Sequence, residues 1–227
     1  MRLTLPLLLL LALLLPAAIL AAERKEPPVP PPLPALPDVQ QQALPPVATP
    51  APVPRLRTRP SRAVGEPWAG RLVRGRPLPV RGDGYLTWDA IRQEVPNRRW
   101  RRYGTGRLLR VLTGVLKDFD APRPVLVGDL SRPDGGDFGP RYGGLGHASH
   151  QNGLDADVYY PRSDGRLLAP RNPGQVDRRA AQRLVDRLVA AGAQKVFVGP
   201  SLGLRGPKGV VEELVHHDDH LHVRLPG

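Results

Sequence analysis

The chain has 227 residues, including 29 prolines and no cysteine, and its 33 Lys+Arg against 21 Asp+Glu give a net charge of +12. Without cysteine there can be no disulfide, thiolate metal site, thiol nucleophile or lipid attached through sulfur. The positive excess either solvates the surface or suits an anionic partner such as nucleic acid, anionic lipid or a carboxylate-bearing polymer. Nucleic acid ranks last, because the arginines are scattered and no basic stretch is interleaved with aromatics.

Residues 1–22 open with Met1-Arg2, continue as a leucine-rich run and close on Ala21-Ala22. This reads as a secretory signal cut after Ala22. The alternative is an uncleaved membrane anchor, since an apolar run of about 20 residues is just long enough to span a bilayer. Residues 23–64 form a Pro-rich linker, with twelve prolines between 27 and 54 and Gln40-Gln41-Gln42 inside it. Such a segment buries too little to fold, which predicts a disordered, polyproline-like tether. Residues 65–227 remain, enough for one core of ordinary size.

Within that domain, Leu72-Val73 and Leu78-x-Val80 read as short strand pieces. Thr87 is positioned to cap a short helix through Glu94, stopped by Pro96. Thr105 caps a clearer one, with Leu108, Leu109, Val111, Leu112, Val115 and Leu116 at helical spacing and an end near Asp118. Val125 to Leu130 reads as a buried strand feeding a glycine-rich loop up to Gly146, at the rim of a cleft. Leu154-Asp155-Ala156-Asp157-Val158 alternates apolar and acidic, as a half-buried strand does, with both aspartates on one face. A second helix is expected over Val176 to Ala191, closed by Gly192. Lys195 to Val198 is a strand, Val210 to Val215 a helical turn, and His220-Leu221-His222-Val223 a final strand with both imidazoles on one face. The fold class is α+β: an antiparallel sheet core with flanking helices and a metal site in a cleft on the sheet.

All six histidines fall in two short stretches, His147/His150 and His216/His217/His220/His222. Two adjacent strands would bring His150, Asp157 and His222 around one point. Three such ligands leave a fourth position for water, the arrangement of a catalytic rather than a structural zinc. One Zn2+ per chain is expected. No Glu stands beside the ligands as in His-Glu-x-x-His proteases, so a histidine must handle the proton. Asp155 shares the face of Asp157 and is positioned to orient a ligand imidazole. His147 is a candidate for contact with substrate or a neighbouring carboxylate, and Arg132 for a clamp on a peptide carboxylate. Arg224 receives no role.

The phrase Gly146-His147-Ala148-Ser149-His150-Gln151-x-Gly153-Leu154-Asp155-x-Asp157, preceded by Gly128-Asp129 and closed by His217 and His220-Leu221-His222-Val223-Arg224, resembles the penicillin-insensitive murein endopeptidases. These belong with the lysostaphin, D-Ala-D-Ala peptidase and hedgehog-type zinc proteins. The resemblance implies a periplasmic or otherwise exported zinc metallopeptidase that hydrolyses D-alanyl cross-bridge peptide bonds in peptidoglycan through metal-activated water. It also implies that His220 is the general base or proton shuttle, and that His217 steadies the oxyanion or leaving amine. Family members use disulfides, and this chain departs from them there. Two other readings are a D,D-carboxypeptidase on the same peptides and a non-catalytic peptidoglycan-binding module with a structural metal. The expected partner is the peptidoglycan peptide, with no nucleic acid, and a membrane only if the N-terminal segment is uncleaved.

Overall fold

The structure is a computed structural model, and it describes residues 59–139 and 147–227. The signal or anchor at 1–22, most of the Pro-rich linker and part of the glycine-rich loop lie outside the described residues. Among these residues no helix is long and apolar enough to cross a membrane.

The chain begins with a hairpin, β1 (Arg62–Glu66) against β2 (Ala69–Val73). Short strands β3 (Arg76–Pro77), β4 (Arg81–Gly82), β5 (Tyr85–Thr87) and β6 (Tyr103–Gly104) follow. Helix α1 (Gly106–Lys117) starts where the Thr105 hydroxyl accepts from Leu108 N at 3.1 Å. After β7 (Val125–Val127) and β8 (Asp155–Tyr159) comes α2 (Arg178–Ala190), capped by the Asp177 carboxylate on Ala180 N. The last strands are β9 (Lys195–Val198), β10 (Val211–Glu213) and β11 (His220–Arg224).

Seven of these strands make one sheet in the order β10-β9-β11-β8-β7-β5-β4. Its central pairs are antiparallel, but β10–β9 and β5–β7 are parallel, so the sheet is mixed rather than wholly antiparallel. Alternation along the strands separates two faces. Ala156, Val158, Leu221, Val223, Val196 and Val198 point to the face where Leu108, Leu112, Leu116, Leu184, Val185 and Leu188 of the helices join them in the main core. The opposite face carries Asp155, Asp157 and Tyr159 from β8 with His220, His222 and Arg224 from β11, in the register His220↔Tyr159, His222↔Asp157 and Arg224↔Asp155. A smaller apolar cluster of Trp88, Leu126, Tyr159 and Ala169 lies on this second face.

Three local expectations are corrected. Residues 88–94 form turns, not a helix, because Asp89 Oδ1 accepts the amides of Ile91 and Arg92 at 2.9 and 3.0 Å while Asp89 and Glu94 bridge. An Asp that captures its own following amides competes with helix propagation. Within the expected helical turn Val210–Val215, residues Val211–Glu213 form strand β10, because they pair with β9. The Val125–Leu130 strand is also shorter, ending at Val127.

Leu221 is fully buried between the two strand histidines. Leu221→Ala is expected to cost about 2–5 kcal/mol by cavity formation. Chemical denaturation measures this, and a loss under about 1 kcal/mol would mean that the strand is not anchored from behind.

Candidate metal centre

The register of β8 and β11 sets Asp157 directly beside His222. His150 enters from the loop before β8. Its φ is 67°, in the left-handed region that non-glycine residues rarely occupy. Its carbonyl accepts the Ser131 hydroxyl, which holds this conformation. Gly135, at φ 72°, makes room for the same loop, since a Cβ there would stand 1.9 Å from the Gln151 carbonyl oxygen.

Three atoms then face one another: His150 Nε2, Asp157 Oδ1 and His222 Nδ1. Their separations are 3.2 Å (His150–Asp157), 3.2 Å (His150–His222) and 3.4 Å (His222–Asp157). Tetrahedral bonds of 2.0–2.1 Å to a metal place ligand atoms about 3.3–3.4 Å apart. Two imidazole nitrogens and a carboxylate oxygen of this spacing are therefore a donor set that fits a divalent cation. All three residues are buried.

A second grouping shares two of these residues. His147, His150 and Asp157 offer ligand atoms within 4.8 Å of one another. His147 Nδ1 stands 3.8 Å from Asp157 Oδ2, looser than the contacts of His222. His222 is the third corner of the tight triangle, and His147 stands next to it.

Both flanking imidazoles are tied down by buried carboxylates. His222 Nε2 donates to Asp155 Oδ1 at 2.7 Å, which leaves Nδ1 facing the centre. Arg224 Nε donates to the same oxygen at 2.7 Å. His147 Nε2 donates to Asp129 Oδ2 at 2.8 Å. Asp129 in turn receives Asn97 Nδ2 at 3.0 Å and Arg101 Nε at 2.6 Å, with Arg101 Nη2 on its second oxygen. Arg101 is fully buried, its guanidinium lying against the rings of Trp100 and Phe138, and Phe138 sets its edge on His147. Asn97, Arg101 and Phe138 carry no spacing that marks them, and Arg101 is hidden among Arg98, Arg99 and Arg102.

His220 Nδ1 donates to Asp219 Oδ1 at 2.6 Å, and its Nε2 stands 3.9 Å from Asp157 Oδ1. His217 donates from Nδ1 to the Val215 carbonyl at 2.8 Å and lies 4.8 Å ring to ring from His220. His216 is exposed. Arg132 donates to the Asp137 carbonyl at 2.6 Å within its own loop.

The electrostatics follow from burial and pairing. Burial pushes His150 and His217 down. Burial also opposes charge on His222, but its bonds to Asp155 and Asp157 outweigh this and push it up to about 9. His220 is raised, because the carboxylates of Asp157 and Asp219 overcome its burial. Burial would raise Asp157, yet His150, His220 and His222 hold it well below the usual carboxylate range.

The family model described as penicillin-insensitive murein endopeptidase matches residues 63–191, more than half of the chain. The chain belongs to the penicillin-insensitive murein endopeptidase family. The match takes in His147, His150, Asp155 and Asp157 and ends before the His217–His222 stretch. A penicillin-insensitive murein endopeptidase of Haemophilus influenzae is 29% identical over 190 residues, covering 71% of this chain and 62% of the relative. Those of Pectobacterium atrosepticum and Salmonella paratyphi C are 29% and 28% identical, covering 72% and 73% of this chain and 64% and 66% of theirs. The chain thus spans a little under two thirds of the length of these relatives.

Proposed function

We propose that this protein is a zinc-dependent murein endopeptidase, exported to the cell envelope, that hydrolyses D-alanyl cross-bridge peptide bonds of peptidoglycan. The observation that carries the reading is the triangle of His150 Nε2, Asp157 Oδ1 and His222 Nδ1, with sides of 3.2, 3.2 and 3.4 Å. Family membership and the names of the relatives supply the substrate class.

In this reading His150, Asp157 and His222 hold one Zn2+. When bound there, the ion would supply Lewis acidity towards the scissile carbonyl and a water that is acidic near neutral pH. The remaining work belongs to the chain's own side chains. Asp155 fixes the His222 tautomer by accepting from Nε2. Asp219 does the same for His220, which leaves Nε2 to take the proton from the attacking water and pass it to the leaving amine. His217, tied at Nδ1, presents Nε2 to the developing oxyanion or the amine.

Purified protein would be analysed for metal and incubated with cross-linked muropeptide dimers and with monomeric pentapeptides. About one zinc per chain and conversion of dimers to monomers are expected. Release of D-alanine from pentapeptides alone would replace the endopeptidase reading with a carboxypeptidase.

A further inference from the structure

On the sheet face that carries the metal centre, Tyr159 stands between His220 and Trp88. Tyr159 lies two residues beyond Asp157 on β8, about 7 Å along the strand. Its ring is 5.6 Å from that of His220 on one side and 6.3 Å from that of Trp88 on the other. Tyr159 lines a small recess together with Arg162, Arg166 and Leu168. Those last three residues also line an adjoining cavity of about 170 Å3, closed by Trp88, Arg171 and Gln175.

The polar groups of this cavity are unequally occupied. Arg162 is fully engaged: it forms a bidentate pair with Asp164 and donates to Gln175 Oε1 at 2.6 Å. That pairing also uses up Asp164, the carboxylate of the loop. Arg166 and Arg171 are exposed, and bond through their backbone amides to Asp164 and Gln175. Among the described residues, neither guanidinium makes a hydrogen bond or an ion pair. Trp88 forms one wall. It is almost completely buried, and its indole Nε1 has no partner. Two planar donor forks without partners, lining one cavity, form a site for an anion with two oxygens.

We propose that Arg166 and Arg171 bind a carboxylate of the substrate's peptide, two to four residues from the bond that is cut. This rests on the murein reading for the identity of the substrate. An extended peptide covers about 3.3–3.6 Å per residue. The ring separations of 5.6 Å from His220 to Tyr159 and 6.3 Å from Tyr159 to Trp88, the cavity wall, correspond to about three residues of extended peptide. The cavity thus selects for stem peptides with free carboxylates over amidated ones. It also gives part of the excess positive charge a place to act.

The test is calorimetric binding of a short stem peptide with free carboxylates, of its amidated counterpart and of inorganic phosphate. The proteins are the full chain and an Arg166→Ala/Arg171→Ala variant. The wild type is expected to bind the carboxylate peptide about tenfold more tightly than the amidated one, with the advantage shrinking as salt is raised. In the double variant that preference disappears. Equal affinity of the wild type for both peptides overturns the proposal, and so does a preference that survives in the variant. Phosphate bound as tightly as the carboxylate peptide would make the cavity a general anion site and overturn its assignment to substrate. If the double variant fails to fold, Arg166→Ala and Arg171→Ala are compared singly, and a preference that both keep in full overturns the proposal. Binding needs no cleavage, so a protein that prefers the carboxylate peptide but leaves cross-links intact sinks the endopeptidase reading and not this one.

Discussion

Replacing Asp157 by alanine is expected to lower metal affinity by at least about 100-fold, and hydrolysis with it. Loss of an outer-sphere partner alone costs about 10- to 100-fold, and Asp157 Oδ1 belongs to the inner triangle, 3.2 Å from His150 Nε2 and 3.4 Å from His222 Nδ1. His220→Ala should behave differently. His220 Nε2 is 3.9 Å from Asp157 Oδ1, close enough to exchange a proton with water at the centre but outside the triangle. Its loss should leave about one metal per chain and reduce turnover by roughly 10²- to 10⁴-fold. Metal content and turnover measured on both variants separate the two roles. A His220→Ala protein that turns over normally would remove the proposed proton carrier. An Asp157→Ala protein that keeps its metal would break the triangle as the binding site.

The second large effect is on stability. Arg101→Met is expected to destabilise the fold by about 3–5 kcal/mol, because it strands the buried Asp129 carboxylate with only Asn97 and His147. Burial alone would raise the Asp129 carboxyl, but the bonds from Arg101 and His147 overcome this and hold it at about 2, below its ordinary 3.8. A carboxyl whose value is depressed in the folded state adds stability above its unfolded value. This contribution, about 2 kcal/mol, is therefore present above about pH 4 and drains away as pH falls towards 2. Denaturation of the wild type between pH 5 and pH 2 should show that loss, and Asp129→Asn should flatten it. If Arg101→Met costs under about 1 kcal/mol, the pair does not support the floor of the site.

The Asp129 cluster also shows where reading from sequence stopped. His147 stands out as one of six histidines in two short stretches. Nothing local marks Arg101 as the arginine of its run that reaches Asp129, or Asn97 as a donor to the same carboxylate. These partners lie 28 and 32 residues from Asp129, and only folding selects them. The same applies to Arg224, which had no assigned role until Asp155 was found to hold both it and His222.

What the sequence settled by itself was whatever depends on near neighbours. The two-residue alternation of Asp155-Ala156-Asp157 and His220-Leu221-His222 put polar groups on one face and apolar anchors on the other. Thr105 capped α1 because a hydroxyl at that position reaches an amide three residues on. Tertiary structure alone decided the parallel pairing of β10, the turn at Asp89 and the pairing of Arg101 with Asp129. Periodicity and capping act over a few residues of chain, whereas these choices turn on ångström separations between segments far apart in sequence.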